Sequence, residues 1–136
     1  MELKEVVLLY NIDDEDRYAL YQRLFEGHQV ELKLVSRAEG AIPLGFLAYG
    51  NEEQKADYTG PVAKDHAFPP EPMMVFAGFT NPRLTAMLGD LRSSGLNEVS
   101  LKAVLTEHNA VWDSATLYEQ LAEERDTFAK AREQKN

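Results

Sequence analysis

Two stretches of the chain, Val6 to Leu9 and Met73 to Phe76, are apolar at every position. Unbroken apolar runs of that length suit strands buried on both faces or flanked by neighbours, so both are predicted at the centre of a sheet. A helical pattern follows each. After the second run, Leu84, Met87, Leu88 and Leu91 form one stripe at helical period, with Asn81-Pro82 as the start and Gly95 as the stop. In the first half Asp13 or Asp14 is the predicted cap, Glu15 and Asp16 suit the positive end of the helix, and Gly27 ends it. Two other runs alternate instead: Val30, Leu32 and Leu34 with Glu31 and Lys33, and Leu101 and Ala103 with Ser100 and Lys102. Alternation marks strands wet on one face, which places these at the sheet's periphery.

The two halves repeat this order. Aligning "VVLLYNIDDEDRYALYQRLF" from Val6 with "MMVFAGFTNPRLTAMLGDLR" from Met73 sets Leu20, Tyr21 and Leu24 on Met87, Leu88 and Leu91. Two residues of gap later, "VELKLV" from Val30 falls on "VSLKAV" from Val99, and Ile42 and Leu47 fall on Trp112 and Leu117. The prediction is a single α+β domain over residues 1–136, a ferredoxin-like two-layer sandwich built from a duplicated strand-helix-strand unit. The first unit covers about 5–50, a connector 51–71, and the second unit about 72–133. An extra C-terminal helix from about Ser114 docks through Leu117, Tyr118 and Leu121, then runs on polar, with Asp126 and Lys130 spaced for a surface pair and an end that frays. The connector, rich in charge, Pro and Gly, reads as a link without an element, pinned by Tyr58, Val62 and Phe68, with a lid or binding loop and a disordered linker as the alternatives.

Composition narrows the partners more than the chemistry. At 136 residues, 44% hydrophobic and 27% charged, the chain has enough apolar material for one core. Its net charge of -9, with no Lys/Arg run, sets it against nucleic acid and anionic membrane surfaces. The early apolar run is too short for a signal peptide or a span, so a cytoplasmic location is expected. The absence of cysteine excludes disulfides, Cys-based zinc sites and thiol nucleophiles.

Candidate chemistry is thin. His28, His66 and His108 share no helix face at i, i+4, so no metal site is assigned. No serine stands in a G-x-S-x-G setting, and the acidic groups at Asp13–Asp16 and Glu123-Glu124 read as helix ends or solvated faces. The Gly78-Phe79 turn lacks a phosphate-loop pattern, yet a strand-to-helix turn can present amides to a ligand. The densest group is Thr106, Glu107, His108, Asn109 and Trp112. There Thr106 and Asn109 are expected to tie a turn by side-chain to backbone bonds, and Trp112 to pack as the apolar residue ahead of a helix capped by Asp113 or Ser114. No catalytic residue and no cofactor are assigned.

The second half resembles a bacterial family known as domain of unknown function 3783. The resemblance rests on the strand before Gly78-Phe79, the "LKAVLT" strand, Asn109, Trp112 and the acidic final helix, and extends to "IPLGFLAYG" in the first half. It implies a small intracellular bacterial protein found as a stand-alone chain, with no activity attached. Members favour a Pro-containing turn where Glu107-His108 stand, which counts against a role for His108.

The leading expectation is a non-enzymatic interaction or small-ligand-sensing module, self-associating through an open sheet face that carries Lys33, Val35, Lys102, Val104 and Thr106. Gly78, Phe79, Lys102, Thr106, His108, Asn109 and Trp112 are the candidate ligand- or partner-binding residues. The alternative is a small enzyme on a polar or acidic metabolite, with Lys102 as an electrostatic clamp beside Thr106, His108 and Asn109. It requires a pocket joining the Gly78 turn to the Thr106–Trp112 loop.

Overall fold

The central strands are β1 (Val6–Tyr10) and β3 (Met73–Ala77), and every side chain in both is buried. The computed structural model describes residues 3–62 and 65–135, with side chains at 62 and 132–135 outside the description. β2 (Glu31–Val35) and β4 (Leu101–Val104) are the edges of one four-stranded mixed sheet of order β2-β1-β3-β4. β2 runs parallel to β1 and β4 parallel to β3, while β1 and β3 meet antiparallel with Val6 opposite Ala77 and Leu8 opposite Val75.

The ferredoxin-like expectation fails on this pairing. In that split arrangement the third strand lies between the first two, whereas here β1 bonds directly to β2. Each half is an unbroken parallel strand-helix-strand unit, and the two stand back to back. Inner first strands and outer second strands occur in both arrangements, so burial patterning alone does not separate them.

Nor is one sheet face open. On one face Val7, Leu9, Met74 and Phe76 pack under α1 (Glu15–Gly27) and α4 (Asn81–Ser93), through Tyr21, Phe25, Met87 and Leu91. On the other, Leu8, Tyr10, Met73 and Val75 pack under α2 (Leu44–Tyr49) and the first turns of α5 (Ser114–Lys135), through Leu44, Leu47 and Leu117. Strands apolar at consecutive positions present apolar side chains to both sides, and both sides must be covered.

The helix ends follow local chemistry. Asp14 caps α1, accepting the Asp16 and Arg17 amides at 2.8 and 3.1 Å. Thr80, rather than Asn81, caps α4, its Oγ1 accepting the Arg83 amide at 3.4 Å. Past the helices, Gln29 (φ 61°) and Gly95 (φ 74°) turn left-handed, and the Val30 and Leu96 amides close back on the Phe25 and Leu91 carbonyls at 2.9 and 2.8 Å. The two helices occupy equivalent positions, but Tyr21 and Phe25 play the parts of Met87 and Leu91; Leu20 is 39% exposed. The turn into α1 is one residue longer than the turn into α4, which shifts the helical register by one.

The edge strands carry a similar slip. Glu31, opposite Val6, corresponds to Leu101, opposite Met73. Lys33 therefore sits beside Leu8 on the α2 face and Lys102 beside Met74 on the α4 face. One residue of slip sends a strand's side chains to the opposite side, so the expected shared face of Lys33, Val35, Lys102 and Val104 does not exist. Val35 is buried, whereas Leu34 and Val104 are 45% and 40% exposed.

The connector holds an element after all: α3 (Glu52–Ala56), capped by Asn51, followed by a 3-10 turn at Gly60–Val62. Tyr58 rests against Phe46 with ring centres 6.3 Å apart, and Phe68 against Tyr10 at 5.8 Å. The expected contribution of the Val62 side chain lies outside the described residues. Among the described residues no helix is long and apolar enough to cross a membrane.

Candidate functional site

β4 ends at Val104 and the chain enters the Thr106–Trp112 loop, where the Thr106 and Asn109 side chains are spent on the loop's own backbone while Glu107 and His108 are exposed. Asn109 Oδ1 accepts the Thr106 amide at 2.8 Å, Thr106 Oγ1 accepts the Asn109 amide at 3.2 Å, and Asn109 Nδ2 donates to the Val104 carbonyl at 3.0 Å. Asn109 is almost wholly buried by this. Trp112 is half-buried against the α2-face core, with the exposed His108 ring edge-on to it at 5.2 Å. Its carbonyl accepts the Leu44 amide, and the Ala110 carbonyl accepts the Gly45 amide, both at 2.9 Å. The loop thus docks α2 to the start of α5.

That helix start is tied down further. Asp113 Oδ1 accepts the Thr116 amide at 2.8 Å, and its Oδ2 meets His66 Nε2 of the connector at 2.7 Å. Burial alone would raise this carboxyl, but the bonds from Thr116 and His66 outweigh it and hold it below the usual range. Ser114 is fully buried with its Oγ 2.6 Å from the Tyr10 hydroxyl. Burial pushes that hydroxyl far above the ordinary phenol range, against the pull of the Ser114 bond.

Gly78 has a structural explanation. Its φ is 82°, and a Cβ there would collide with the Lys4 carbonyl and with Tyr49 Oη, which itself donates to that carbonyl at 2.7 Å. Phe79 packs edge-on against Phe76, centres 5.5 Å apart. Beside this turn, Arg83 clamps Glu5 at 2.9 and 2.7 Å and reaches the His28 carbonyl at 3.1 Å. The guanidinium holds the Glu5 carboxyl below the usual range. His28 meets Asp90 at 2.6 Å.

Lys102 is elsewhere. Its ammonium donates to the Val99 carbonyl on the α4 side of β4, and burial pushes its pKa down, with Arg92 adding to the shift. The Gly78 turn opens on a cleft of about 770 Å³ with Glu5, His28 and Arg83 in its walls, and no residue of the Thr106–Trp112 loop lines it. The candidate residues accordingly form three separate places: Gly78 with Phe79, Lys102 alone, and Thr106 to Trp112.

A fourth place escapes sequence reasoning. Between α2, α3 and the loop lies a cleft of about 470 Å³ walled by Pro43, Phe46, Tyr49, Tyr58 and Gln54, with Ala110 and Val111 as its other wall. Val111 is 76% exposed at this cleft, and Tyr49 38%. The aromatic spacing in "LGFLAY" hinted at it, but α3 and the loop come from remote parts of the chain. Lys33 donates to the Leu47 and Ala48 carbonyls at 3.2 and 3.1 Å, fixing the end of α2 that carries Tyr49. Desolvation lowers the pKa of this lysine. Among the described residues no cluster of three or more His, Asp or Glu could hold a metal ion.

Residues 72–128 match the family described as domain of unknown function (DUF3783). The matched segment begins at the residue before β3 and ends within α5, so the resemblance covers the second strand-helix-strand unit and the first part of the helix after it. The first unit lies outside the match. No curated protein and no solved structure matches the chain.

Proposed function

We propose that the protein is a non-catalytic binding module that receives an extended, cationic, proline-containing segment of a partner protein in the cleft between α2, α3 and the Ala110–Val111 turn. The observation that carries this reading is the convergence of Phe46, Tyr49 and Tyr58 on one open cleft rimmed by the exposed Val111. Aromatic-lined grooves suit preformed extended proline-rich segments, because little chain entropy is lost on docking and the rings pack on the pyrrolidines. Charge supplies the sign. α3 carries Glu52 and Glu53 in its first turn, and the chain as a whole stands at -9. A cationic segment is steered in and an acidic one turned away.

The two halves, we further propose, descend from one strand-helix-strand unit, of which the second retains the family's pattern. In support, Asn11 and Gly78 follow equivalent strands with φ of 61° and 82°, and Leu47 and Leu117 enter the same core from equivalent helices.

Trp112 is the sole tryptophan and adjoins the cleft wall, so its fluorescence reports occupancy. Titration with a peptide of alternating Pro and Arg is expected to give a saturable change at micromolar to high-micromolar concentration, as for small peptide sites. Val111→Ser, at an exposed position, weakens it while leaving the fold intact. Silence of Trp112 at millimolar peptide, or equal binding of a Pro-Glu peptide, overturns the reading.

A further inference from the structure

The two edges of the sheet are finished differently. At β4 the Leu105 amide turns inward to the Phe76 carbonyl at 2.8 Å, so Val104 faces outward, and its carbonyl is taken by Asn109 Nδ2 at 3.0 Å, which holds the Thr106–Trp112 loop against that edge. At β2 the Glu31 amide turns inward to the Glu5 carbonyl at 3.1 Å. Successive residues of a strand aim their backbone groups to opposite sides, so Val30, Leu32, Leu34 and Ser36 aim theirs outward. The Val30 amide closes on the Phe25 carbonyl and the Ser36 amide on Glu39 Oε1, both at 2.9 Å. Between them, the Leu32 and Leu34 amides and carbonyls have no partner among the described residues.

The side chains of this edge are ordered by face. Leu32 and Leu34 lie beside Val7 and Leu9 on the α1 face, Leu32 half-buried and Leu34 exposed. Glu31 and Lys33 lie beside Val6 and Leu8 on the α2 face, both half-buried. The Glu31 carboxylate and the Lys33 ammonium come within 3.8 Å of each other along the strand. An edge strand with open backbone groups and an exposed apolar side chain is a template for another strand.

We infer that β2 pairs antiparallel with β2 of a second copy of this chain, Leu32 opposite Leu32, joining the two sheets into one. The two-fold axis stands perpendicular to the sheet, so each face of one copy continues into the same face of the other. Three registers bring the open backbone groups together: Leu32 opposite Leu32, Leu32 opposite Leu34, and Leu34 opposite Leu34. The side chains choose among them. The second sets Lys33 directly against the partner's Lys33, which is destabilising, and the third sets Lys33 against the partner's Val35. The first sets Glu31 of each copy opposite the partner's Lys33 on the same face, with Cβ atoms about 4.5–5.5 Å apart. That is closer than the roughly 6.6 Å between the same two positions along one strand. Leu32 then meets its counterpart on the α1 face, and Leu34 lies across from the partner's Val30. One strand pair is a small contact, so association is concentration-dependent, and the Glu31–Lys33 pairs make it weaker in salt.

Sedimentation velocity of the full chain from roughly 5 to 500 µM in low salt, a range suited to small interfaces, tests this. The mass is expected to rise from 15.4 kDa toward twice that value. Glu31→Lys, which sets lysine opposite lysine twice across the axis, weakens association by about tenfold while circular dichroism and Tm stay unchanged. The chain has no cysteine, so a single introduced one reports the register. Leu32→Cys is expected to give a covalent dimer on mild oxidation, because directly opposed residues that exchange backbone bonds stand about 5.5 Å apart at Cα, within disulfide reach. Leu34→Cys, roughly 13 Å from its own counterpart in this register, stays uncrosslinked. A monomer across the whole range, a dimer indifferent to Glu31→Lys, or crosslinking at position 34 in preference to 32 would each overturn the pairing.

Discussion

Two tyrosine hydroxyls in the core have opposite fates. Tyr10 Oη finds Ser114 Oγ at 2.6 Å, whereas Tyr21 Oη, buried beside the Arg17–Glu98 pair, makes no hydrogen bond of good geometry among the described residues. Removing one member of a buried pair strands the other, at about 1–3 kcal/mol, while deleting a hydroxyl that has no partner costs nothing and relieves its desolvation. Ser114→Ala is therefore expected to lose about 1–3 kcal/mol in urea unfolding, and Tyr21→Phe to be neutral or slightly stabilising. A Tyr21→Phe variant that loses as much as Ser114→Ala would show that the Tyr21 hydroxyl is satisfied in solution. At this scale the sequence was a good guide to the loop: Thr106 and Asn109 bond as their side chains favour, because such contacts span a few residues and need no knowledge of the fold.

Elements depend on turns, and the turns at the two central strands use unlike means. Asn11 donates from its side chain to the Pro69 and Glu71 carbonyls at 2.8 and 2.9 Å, drawing the connector onto the end of β1. Gly78 lets the Lys4 backbone and Tyr49 approach directly. Gly78→Ala is expected to cost about 2–4 kcal/mol, from the positive φ and the collision together. Gly27→Ala, in a helix with open space around its Cβ, is expected to hold or gain stability of about 0.5–1 kcal/mol. Thermal melts of the pair decide it, and equal melting temperatures would reject the close approach at Gly78. Strand and helix identities were legible because period and capping are local. The one-residue slips were not: in the first unit the alignment placed Leu20 where Tyr21 belongs, since one extra turn residue leaves composition unchanged while rotating a whole helix.

For the molecule as a whole, acid stability should be governed by carboxylates that join distant parts of the chain. Arg83 holds Glu5, linking the start of β1 to α4, and Arg125 with Tyr118 holds Glu71, linking the approach to β3 to α5; in both the hydrogen bond to arginine is the chief reason the carboxyl lies below its usual range. A group whose pKa is depressed on folding contributes stability above its unfolded pKa and loses it as pH falls through the folded value. Unfolding free energy is accordingly expected to decline from about pH 5 downward, and a Glu5→Gln, Glu71→Gln double variant to decline less steeply over that range. An unchanged slope would assign the acid sensitivity to other groups. Strand adjacency belongs to this scale too and was the least legible feature. Continuous burial of β1 and β3 fixed them as inner strands, yet whether β2 lies beside β1 or beyond β3 depends on how a helix crosses the sheet. Likewise the aromatic cleft joins Tyr49, Tyr58 and Val111, whose proximity no local pattern encodes.

The antiparallel seam between β1 and β3 carries a consequence for how the molecule meets its surroundings. In parallel sheets, ligands gather where strands end at their carboxyl termini. With two parallel pairs running opposite ways, those termini emerge at opposite poles. One pole bears Asn11, Asp13 and Asp14, the other Gly78, Thr80 and Arg83. A nearly symmetric scaffold thus ends in two chemically unlike tips, and a partner read by charge can tell one from the other.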